Sequence, residues 1–298
     1  MVCRNRISKK DLLRILQKNF KCPGENIFSM DRSVNKAKLF ENCIFIKNLQ
    51  GLYDLDAFRD GYFSIQDFTS QIPVKFFLNP QKGERILDLC GAPGGKAALM
   101  SEATSGSCEI ISIDISTERL NLFKENIRRL GLKNIFLLKA DAGRNGYLDD
   151  YMKNNKKTGS FIDYFDKVFV DAPCSSFGTI SKNPDVKYNR DFNDLRSYSE
   201  RSLKIISSSA RYVKPGGIIV FYTCTLSSIE NQDMIRKFAG RNSLNLRLRN
   251  VSAPRIMKKY LEEKKVNLPN CSNDYFEVLP YFFNSEAGFM AVLEKKIH

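Results

Sequence analysis

Histidine is almost absent from this chain, because its 298 residues include only one, His298, at the end of the sequence. A Ser-His-Asp triad, a Cys-His dyad or a histidine metal site is therefore not expected. The eight cysteines are spread along the chain, and none belongs to a C-x-x-C pair. Such spacing argues against a disulfide scaffold or a zinc ribbon and indicates a reducing compartment. We expect no bound metal and an intracellular, cytoplasmic protein, with the nucleolus or an organelle as alternatives.

Long apolar runs are also missing. The opening residues, MVCRNRISKKD, contain no run long enough for a signal peptide, and no later segment approaches the length of a membrane span. The hydrophobic content of 43% is that of an ordinary globular protein. We therefore expect a folded, soluble chain without membrane contact, built as one large domain or two unequal ones.

Acidic residues are fewer than basic residues in this sequence. Lys and Arg total 47 against 33 Asp and Glu, which gives a formal net charge of +14. Such an excess attracts a polyanion and so favours a nucleic acid as partner. The alternative is a lysine-rich surface that only aids solubility. An anionic membrane is less favoured, because the sequence has no basic amphipathic helix with an aromatic face.

Strand and helix patterns alternate through most of the chain. Residues 1–75 mix short patterns and predict a small N-terminal α+β appendage, whereas 76–298 predict one larger domain. The strand patterns lie at 84–90, 109–115, 134–140, 167–172 and 218–223, separated by helix patterns, and 143–165 reads as a surface excursion. The segments 276–283 and 288–296 read as a closing strand pair. The fold class is α/β, a doubly wound, mostly parallel sheet with an antiparallel C-terminal strand.

A glycine-rich loop joins the first of these strands to a helix. Glycines allow close approach of a ligand, and the helix start offers free N–H groups. Asp114 ends the next strand, where it could bind a ribose, and Asp141 ends the third, where it could meet an adenine amino group. Neither dinucleotide nor phosphate-loop spacing is present, which favours S-adenosylmethionine over NAD. The alternative is a simple turn with two solvated aspartates. The loop residues are Gly91, Ala92, Pro93, Gly94, Gly95 and Lys96.

Two cysteines also lie at predicted strand ends. Cys174 comes three residues after Asp171, and Cys224 directly follows the strand that ends at Thr223. A free cysteine is usually a small buried hydrophobic residue. Beside a cofactor it becomes a candidate nucleophile, since nearby positive charge such as Lys96 lowers a thiol pKa.

These residue types match the methylation of cytosine at carbon 5. That carbon is a poor nucleophile until a thiolate adds at carbon 6. The resulting enamine can take a methyl group, after which loss of the carbon 5 proton expels the thiol. The ring nitrogen beside the carbonyl needs a hydrogen-bond or proton partner, and Asp171 is a candidate. The chemistry requires neither a metal nor a histidine.

Six stretches of the chain resemble the Sun (Fmu) family of RNA 5-methylcytosine methyltransferases. They are GYFSIQDFTSQIPV (61–74), DLCGAPGGKAALM (88–100), SIDIS (112–116), KADAG (139–143), DAPCSSFGTISKNPDVKY (171–188) and VKPGGIIVFYTCTLSSIENQ (213–232). The resemblance implies a Rossmann-like methyltransferase fold and an RNA substrate. It implies that Cys224 attacks the base, that Cys174 assists release and that Asp171 holds the ring close to the cofactor. The cofactor contacts it implies run from Cys90 to Lys96 and include Asp114 and Asp141.

The resemblance also narrows the substrate. Ser175 follows Pro173-Cys174, whereas DNA enzymes of similar chemistry have glutamine there, so RNA is favoured over DNA. The segment LQGLYDLDAFRDGYFSIQDFTSQ (49–71) resembles the ribosomal-RNA branch, small subunit, more than the transfer-RNA branch. We expect the RNA contacts to come mainly from residues 1–75 and the loop at 180–192. We expect a monomer. Predicted phosphate contacts, with a solvated loop as the alternative, are Lys182, Lys187 and Arg190.

Two departures from the family pattern affect RNA positioning rather than chemistry. Ile229-Glu230-Asn231 stands where Glu-Glu-Asn is usual, and Pro280-Tyr281 stands where Pro-His is usual. Two other functions are weighed against the RNA enzyme. One is a methyltransferase of the same fold that acts on a protein or small molecule. The other is a non-catalytic RNA-binding or ribosome-assembly factor that retains the fold.

Overall fold

A computed structural model describes most of the chain from residue 51 onward and short parts before it. The described residues are 7–19, 27–28, 43–46, 51–154, 159–239, 245–263, 265 and 274–297. His298 and most of the N-terminal appendage therefore lie outside them.

The described N-terminal part has a small core of its own. Helix α1 (Lys9–Asn19) begins where the hydroxyl of Ser8 accepts the Asp11 N–H at 3.1 Å. Strands β1 (Ile27–Phe28) and β2 (Phe45–Ile46) pair antiparallel, and a short helix α2 (Asp56–Arg59) follows. The buried residues that form this core are Leu12, Leu16, Leu52, Ala57 and Phe63.

A continuous helical segment leads into the larger domain. Helix α3 (Phe68–Ile72) is capped by Asp67 and runs on as a π-helix from Pro73 to Leu78. Its apolar residues are buried in the larger core. The domain boundary predicted at residue 75 falls inside this segment and stays a prediction.

A mixed sheet forms the centre of the molecule. Its strands are β3 (Arg85–Leu89), β4 (Glu109–Asp114), β5 (Ile135–Lys139), β6 (Phe165–Asp171), β7 (Val213–Thr223), β8 (Leu246–Leu248), β9 (Phe276–Val278) and β10 (Gly288–Lys295). The order of the main path is β5-β4-β3-β6-β7-β10-β8, and β9 also pairs with β10. The first five strands of this path are parallel, while β10 runs antiparallel to β7, β8 and β9. The predicted fold class is confirmed.

Helices flank both faces of this sheet. One of them, α5 (Thr117–Leu130), has clear sequence signals at both ends: Ser116 caps its start through its hydroxyl, and Gly131 ends it with a φ of 69°. The helices are α4 (Gly95–Ala103), α5 (Thr117–Leu130), α6 (Tyr147–Asn154), α7 (Phe192–Ser209), α8 (Gln232–Ala239), α9 (Arg255–Glu263) and α10 (Pro280–Phe283).

The two faces of the sheet explain why its strands read as uninterrupted apolar runs. Ile86 and Phe169 belong to the core on one face, whereas their neighbours Leu87 and Val168 belong to the core on the other. Because each strand alternates its side chains and both faces are covered, almost every position must be apolar.

The sequence interpretation was wrong in two places. The stretch 143–165 is not only a surface excursion, because it contains α6, whose Tyr147 and Leu148 are buried. The predicted strand at 276–283 ends at Val278, and Pro280 begins α10. Proline has no N–H for a sheet ladder but suits the first turn of a helix.

Candidate active site at the carboxyl ends of the strands

Every predicted site residue on the sheet lies at a strand end. The cofactor loop follows β3, Asp114 ends β4, and Asp141 follows β5. Asp171 ends β6, three residues before Cys174, and Cys224 follows β7. These five strands are parallel neighbours, so their carboxyl ends meet at one edge.

The loop after β3 needs glycine at two positions for steric reasons. A Cβ on Gly91 would lie 2.0 Å from an oxygen of the Asp88 carboxylate. A Cβ on Gly94 would lie 2.1 Å from the ring of Phe123, and Gly94 has a φ of 98°. The loop therefore folds directly over Asp88 and against α5.

Asp88 is a fully buried carboxyl group beneath this loop. Its Oδ2 accepts the Ser112 hydroxyl at 2.7 Å, whereas its Oδ1 has no hydrogen-bond partner among the described residues. Burial raises the pKa of Asp88 to about 7. An unsatisfied acceptor in such a place indicates a ligand group that donates to it.

The Asp114 carboxylate is buried and already holds protein groups. Its Oδ1 accepts the Ser116 N–H at 3.0 Å and its Oδ2 accepts the Ala92 N–H at 3.3 Å. Arg119 pairs with Asp114 at 3.4 Å and also donates to the Ala92 carbonyl. Arg119 was missed from the sequence, because no pattern marks one arginine among many. Asp114 thus braces the loop as well as being a predicted ribose contact.

Asp141 lies in a more exposed position than Asp114. Its Oδ1 accepts the Gly143 N–H at 2.9 Å, which forms a tight turn after β5. Its predicted contact with adenine stays a prediction.

Lys96 and Asp171 form an ion pair at the start of α4. The Lys96 Nζ lies 2.6 Å from Asp171 Oδ2, and the two side chains are 16% and 27% exposed. Burial alone would lower the pKa of the Lys96 ammonium, but the adjacent Asp171 carboxylate outweighs it and raises that pKa. The ammonium also lies 4.9 Å from the centre of the Tyr222 ring. Lys96 is therefore held charged beside the strand end of β7.

The two predicted catalytic cysteines are in contact. Their sulfur atoms lie 3.5 Å apart, and the Cys224 sulfur lies 3.6 Å from the Ser176 hydroxyl. The hydrogen bond from Cys174, followed by that of Ser176 and the charge of Lys96, lowers the pKa of the Cys224 thiol despite its burial. The same contact, together with burial, raises the pKa of Cys174 well above the ordinary value. Cys224 is therefore the cysteine that ionises first.

Cys90 behaves differently from this pair. Burial, with the Asp171 and Asp114 carboxylates nearby, raises its pKa to about 12. Its thiol stays protonated at neutral pH, so Cys90 can line the cofactor loop but is no nucleophile.

Gly178 links the two cysteine segments and was missed from the sequence. Its N–H donates to the Cys224 carbonyl at 2.9 Å, and its own carbonyl accepts the Ala287 N–H at 3.0 Å. A Cβ there would lie 2.6 Å from both the Cys224 carbonyl oxygen and the Ala287 Cβ. Only glycine fits between these backbones.

The three predicted phosphate contacts differ in their surroundings. Lys182 forms ion pairs with Asp67 at 2.6 Å and Glu286 at 3.0 Å, so its ammonium already joins distant parts of the chain. Lys187 is exposed above the Tyr188 ring, and Arg190 donates to the Asn189 carbonyl at 2.9 Å. All three stay predictions.

Comparison with known proteins supplies the family. A sequence profile described as 16S rRNA methyltransferase RsmB/F matches residues 75–294. The chain belongs to the RsmB/F family. The resemblance drawn from the motifs is thereby confirmed, and S-adenosylmethionine is the methyl donor of this family.

One relative and two solved structures illustrate the relationship. The RsmB/F chain is 32% identical over 264 residues to a Bacillus subtilis (strain 168) protein named probable ribosomal RNA small subunit methyltransferase B, a match covering 88% of this chain and 54% of the relative. Its fold resembles that of PH0851, with a TM-score of 0.80 at 24% identity, covering 99% of this chain and 58% of that one. NSun6 from Pyrococcus horikoshii, solved with SFG, has a TM-score of 0.67 at 26% identity, covering 86% and 60%.

The RsmB/F chain spans about half the length of the curated relatives it matches. None of the helices in the described ranges is long and apolar enough to cross a membrane. Within the same ranges, no group of three or more His, Cys, Asp or Glu side chains could hold a metal ion. The monomeric state and the metal-free site stay predictions.

The loop residues fit S-adenosylmethionine. No side chain caps the start of α4, and the free N–H groups of a helix start favour a carboxylate. The unsatisfied Asp88 Oδ1 suits an amine donor, and Asp114 lies one strand away. Amine, carboxylate and ribose are three of the polar groups of this cofactor.

Proposed function

We propose that this protein methylates carbon 5 of a cytosine in ribosomal RNA, with S-adenosylmethionine as the methyl donor and Cys224 as the covalent nucleophile. The observation that carries the proposal is the 3.5 Å contact of two thiols beside the Lys96–Asp171 ion pair. Two neighbouring thiols, one of them easily ionised, suit a reaction that must form and then break a bond from sulfur to the base.

Cys224 acts first in this proposal. Its thiolate adds to carbon 6 of the cytosine, which makes carbon 5 electron-rich. The hydrogen bonds from Cys174 and Ser176 stabilise that thiolate before the addition. Bound S-adenosylmethionine supplies the methyl group that carbon 5 accepts.

The Lys96–Asp171 pair serves the ring nitrogen. Addition at carbon 6 places negative charge on that nitrogen and the neighbouring carbonyl. The Lys96 Nζ and the Asp171 Oδ2 lie 2.6 Å apart, so they can exchange a proton. The pair can supply that proton to the ring nitrogen when negative charge develops there and take it back when the charge disappears.

Cys174 acts last. In the free protein its pKa is raised chiefly by the contact with Cys224. Once the Cys224 sulfur is bonded to the base it carries no charge, so this restraint on ionisation of Cys174 is removed. Cys174 can then release its own proton to solvent, and its thiolate takes the proton from carbon 5. The electron pair of that carbon–hydrogen bond forms the ring double bond and expels the Cys224 thiolate. The order of the two steps follows from the contact itself.

Exposed aromatic side chains downstream of Cys174 in the chain suit unpaired RNA. The segment after Cys174 carries Tyr188, which is 80% exposed, and Phe192, which is 54% exposed. Lys187 lies against the first ring and Arg196 lies 4.5 Å from the centre of the second. Aromatic rings next to cations stack bases and attract phosphates, and single-stranded RNA offers both.

The first experiment is methyl transfer from labelled S-adenosylmethionine to total RNA and to DNA, with analysis of the labelled nucleoside. We expect label in 5-methylcytidine from RNA alone, and in the ribosomal rather than the transfer-RNA fraction. Free small-subunit RNA and partly assembled small subunits should be assayed in parallel, since either can be the form that is recognised.

The same assay separates the alternatives. Label in transfer RNA would replace the proposed substrate but keep the chemistry. A protein that binds the cofactor yet labels no RNA in any of these forms would contradict the proposal and favour a non-catalytic assembly factor. A cytoplasmic location, which suits ribosomal RNA of the small subunit, stays a prediction.

A further inference from the structure

A buried polar cluster lies directly behind the two cysteines, and the reaction described above does not use it. All of its side chains are almost completely buried. We call it the Glu230 network, and its members are Ser175, Thr223, Thr225, Glu230 and Asn231.

Glu230 joins the two cysteine segments through one carboxylate. Its Oε2 accepts the backbone N–H of Ser175 at 2.7 Å, and its Oε1 accepts the Ser175 hydroxyl at 2.6 Å. The Ser175 hydroxyl lies 2.7 Å from that of Thr225. Ser175 directly follows Cys174 and Thr225 directly follows Cys224, so this chain of bonds runs from one cysteine to the other.

Asn231 fixes the segment of Cys224 from both sides. Its Oδ1 accepts the Thr223 hydroxyl at 2.6 Å, and its Nδ2 donates to the Thr225 carbonyl at 3.0 Å. The residues before and after the nucleophile are therefore tied to a side chain adjacent to Glu230.

The energetics of Glu230 are unusual for a residue that only fills space. Burial raises its pKa, and within the described part of the chain it forms no ion pair. Hydrogen bonds from Ser175 and Thr225 must therefore compensate its desolvation. Removing the carboxylate would leave the Ser175 N–H buried without an acceptor, and the segment of Cys174 would have to move to find one.

We propose that Glu230 is a positioning residue: it holds the segment of Cys174 against the segment of Cys224 and so keeps the two sulfur atoms within reach of each other. The consequence for release of the methylated RNA rests on the proposed function. The geometric part does not, and it can be tested without RNA or cofactor.

The geometric test is the rate at which diamide converts Cys174 and Cys224 into a disulfide, followed by peptide mapping. The two thiols lose two electrons and two protons, and the diazene is reduced to the hydrazine. Since misplacement by about 1 Å can cost up to about 10²-fold in an oriented reaction, we expect Glu230→Ala to form this disulfide at least about tenfold more slowly than the wild type.

Two further variants make the result specific. Glu230→Gln can still accept the Ser175 N–H and donate to its hydroxyl, so it should restore the rate to within about threefold of wild type. Glu277→Ala is the control, because Glu277 is a partly buried carboxyl whose pKa is also raised by burial, and its partner is Gln232 and not a cysteine segment. It should leave the rate unchanged. If Glu230→Ala does not fold, Ser175→Ala removes the two hydroxyl bonds of the network, to Glu230 and to Thr225, but keeps the bond from the Ser175 N–H to Glu230. It should slow the rate by a smaller factor.

The functional readout is the fraction of protein held as a covalent RNA adduct at steady state. We expect Glu230→Ala to accumulate adduct and lose turnover while its KM for S-adenosylmethionine is unchanged. A disulfide rate in Glu230→Ala equal to wild type would overturn the positioning role. A slowed disulfide rate, in a protein whose wild type methylates no RNA, would support the positioning role and contradict the proposed function.

Discussion

The ammonium of Lys96 lies 2.6 Å from the Asp171 carboxylate and 4.9 Å from the centre of the Tyr222 ring, so one cation links the cofactor loop to two strand ends. Lys96 is the second residue of α4, directly after the last glycine of the loop, whereas Asp171 and Tyr222 face each other across β6 and β7. The Lys96 ammonium therefore contacts both the strand end of β6 and that of β7, and its removal should affect both Asp171 and Cys224.

Lys96→Met should lower methyl transfer by about 10²-fold or more, because Asp171 loses its proton partner. It should also raise the pKa of Cys224, since one of the charges that lower that pKa is gone. The rate of iodoacetamide labelling of Cys224 as a function of pH measures this shift. Lys167→Met is the matched control, because Lys167 is 14% exposed and pairs with Glu84 at 2.9 Å at the opposite edge of the sheet. Equal labelling profiles in Lys96→Met and wild type would contradict the argument.

Cys224→Ala should abolish methylation while leaving cofactor binding intact, because the nucleophile lies after β7 and the glycine loop lies after β3. Labelled-methyl incorporation and calorimetric binding of S-adenosylmethionine measure the two effects separately. Cys108→Ala removes a buried thiol that contacts Thr104 and Asn134 rather than the site, and it should remain active. Methylation by Cys224→Ala would contradict the proposed covalent mechanism.

Cys174→Ala should accumulate a covalent protein–RNA adduct, and the rate of its formation should depend on pH in a defined direction. The Cys174 hydrogen bond is the main cause that lowers the pKa of Cys224, so its loss raises that pKa. At neutral pH the variant should form adduct more slowly than the wild type does, when both are compared at early time points. The difference between the two rates should vanish about two pH units higher. Denaturing gels of time courses at both pH values measure this. Absence of any adduct at the higher pH would show that Cys174 is not the release residue.

Phe192→Ala should weaken binding of a short single-stranded RNA by roughly tenfold, because loss of a stacked base costs about 1–3 kcal/mol. Phe136→Ala is a close control, since Phe136 and Phe192 are both 54% exposed but Phe136 lies on β5, away from the cysteines. Fluorescence anisotropy with a labelled oligonucleotide compares the two. Equal RNA affinities of Phe192→Ala and Phe136→Ala would show that the Phe192 ring does not contribute to RNA binding.

Asp88 should make stability depend on pH. Its pKa is about 7 in the folded protein against an ordinary 3.8, chiefly because of burial. Stability that is present below the lower value is lost as pH rises through the higher one, since the unfolded carboxyl ionises more easily. Asp88→Asn keeps an acceptor for Ser112 without this titration. The free energy of unfolding of wild type relative to Asp88→Asn should therefore be lower at about pH 8 than at about pH 5, as measured by urea unfolding. A constant difference would mean that Asp88 ionises normally.

The sequence predicted the sheet and the strand-end residues because both follow from local patterns. Apolar runs and glycine turns identify β3 to β7, and the fold rule then brings Asp114, Asp171 and Cys224 to one edge. Contacts between distant segments have no such signal. Lys182 has the appearance of an exposed phosphate contact, yet it pairs with Asp67, 115 residues away in the chain.

Buried polar contacts were the least predictable part of the site. Glu230 was noted only as part of a departure from a family pattern, and its bond to Ser175 spans 55 residues. Helix α6 was missed for a related reason, since the burial of Tyr147 depends on Tyr212, whose ring centre is 5.1 Å away. Tertiary packing, and not local propensity, decides such positions.

The place of Gly178 also sets the order in which the site can mature during synthesis. Its carbonyl is held by Ala287, and β10 completes the sheet beside β7. A ribosome releases Ala287 and β10 after it has made all the preceding strands of the described sheet. A nascent chain that already contains the cofactor loop and both cysteines still lacks Ala287, which binds Gly178 and so holds it against Cys224. The proposed reaction with RNA therefore becomes possible only when synthesis of the sheet is finished.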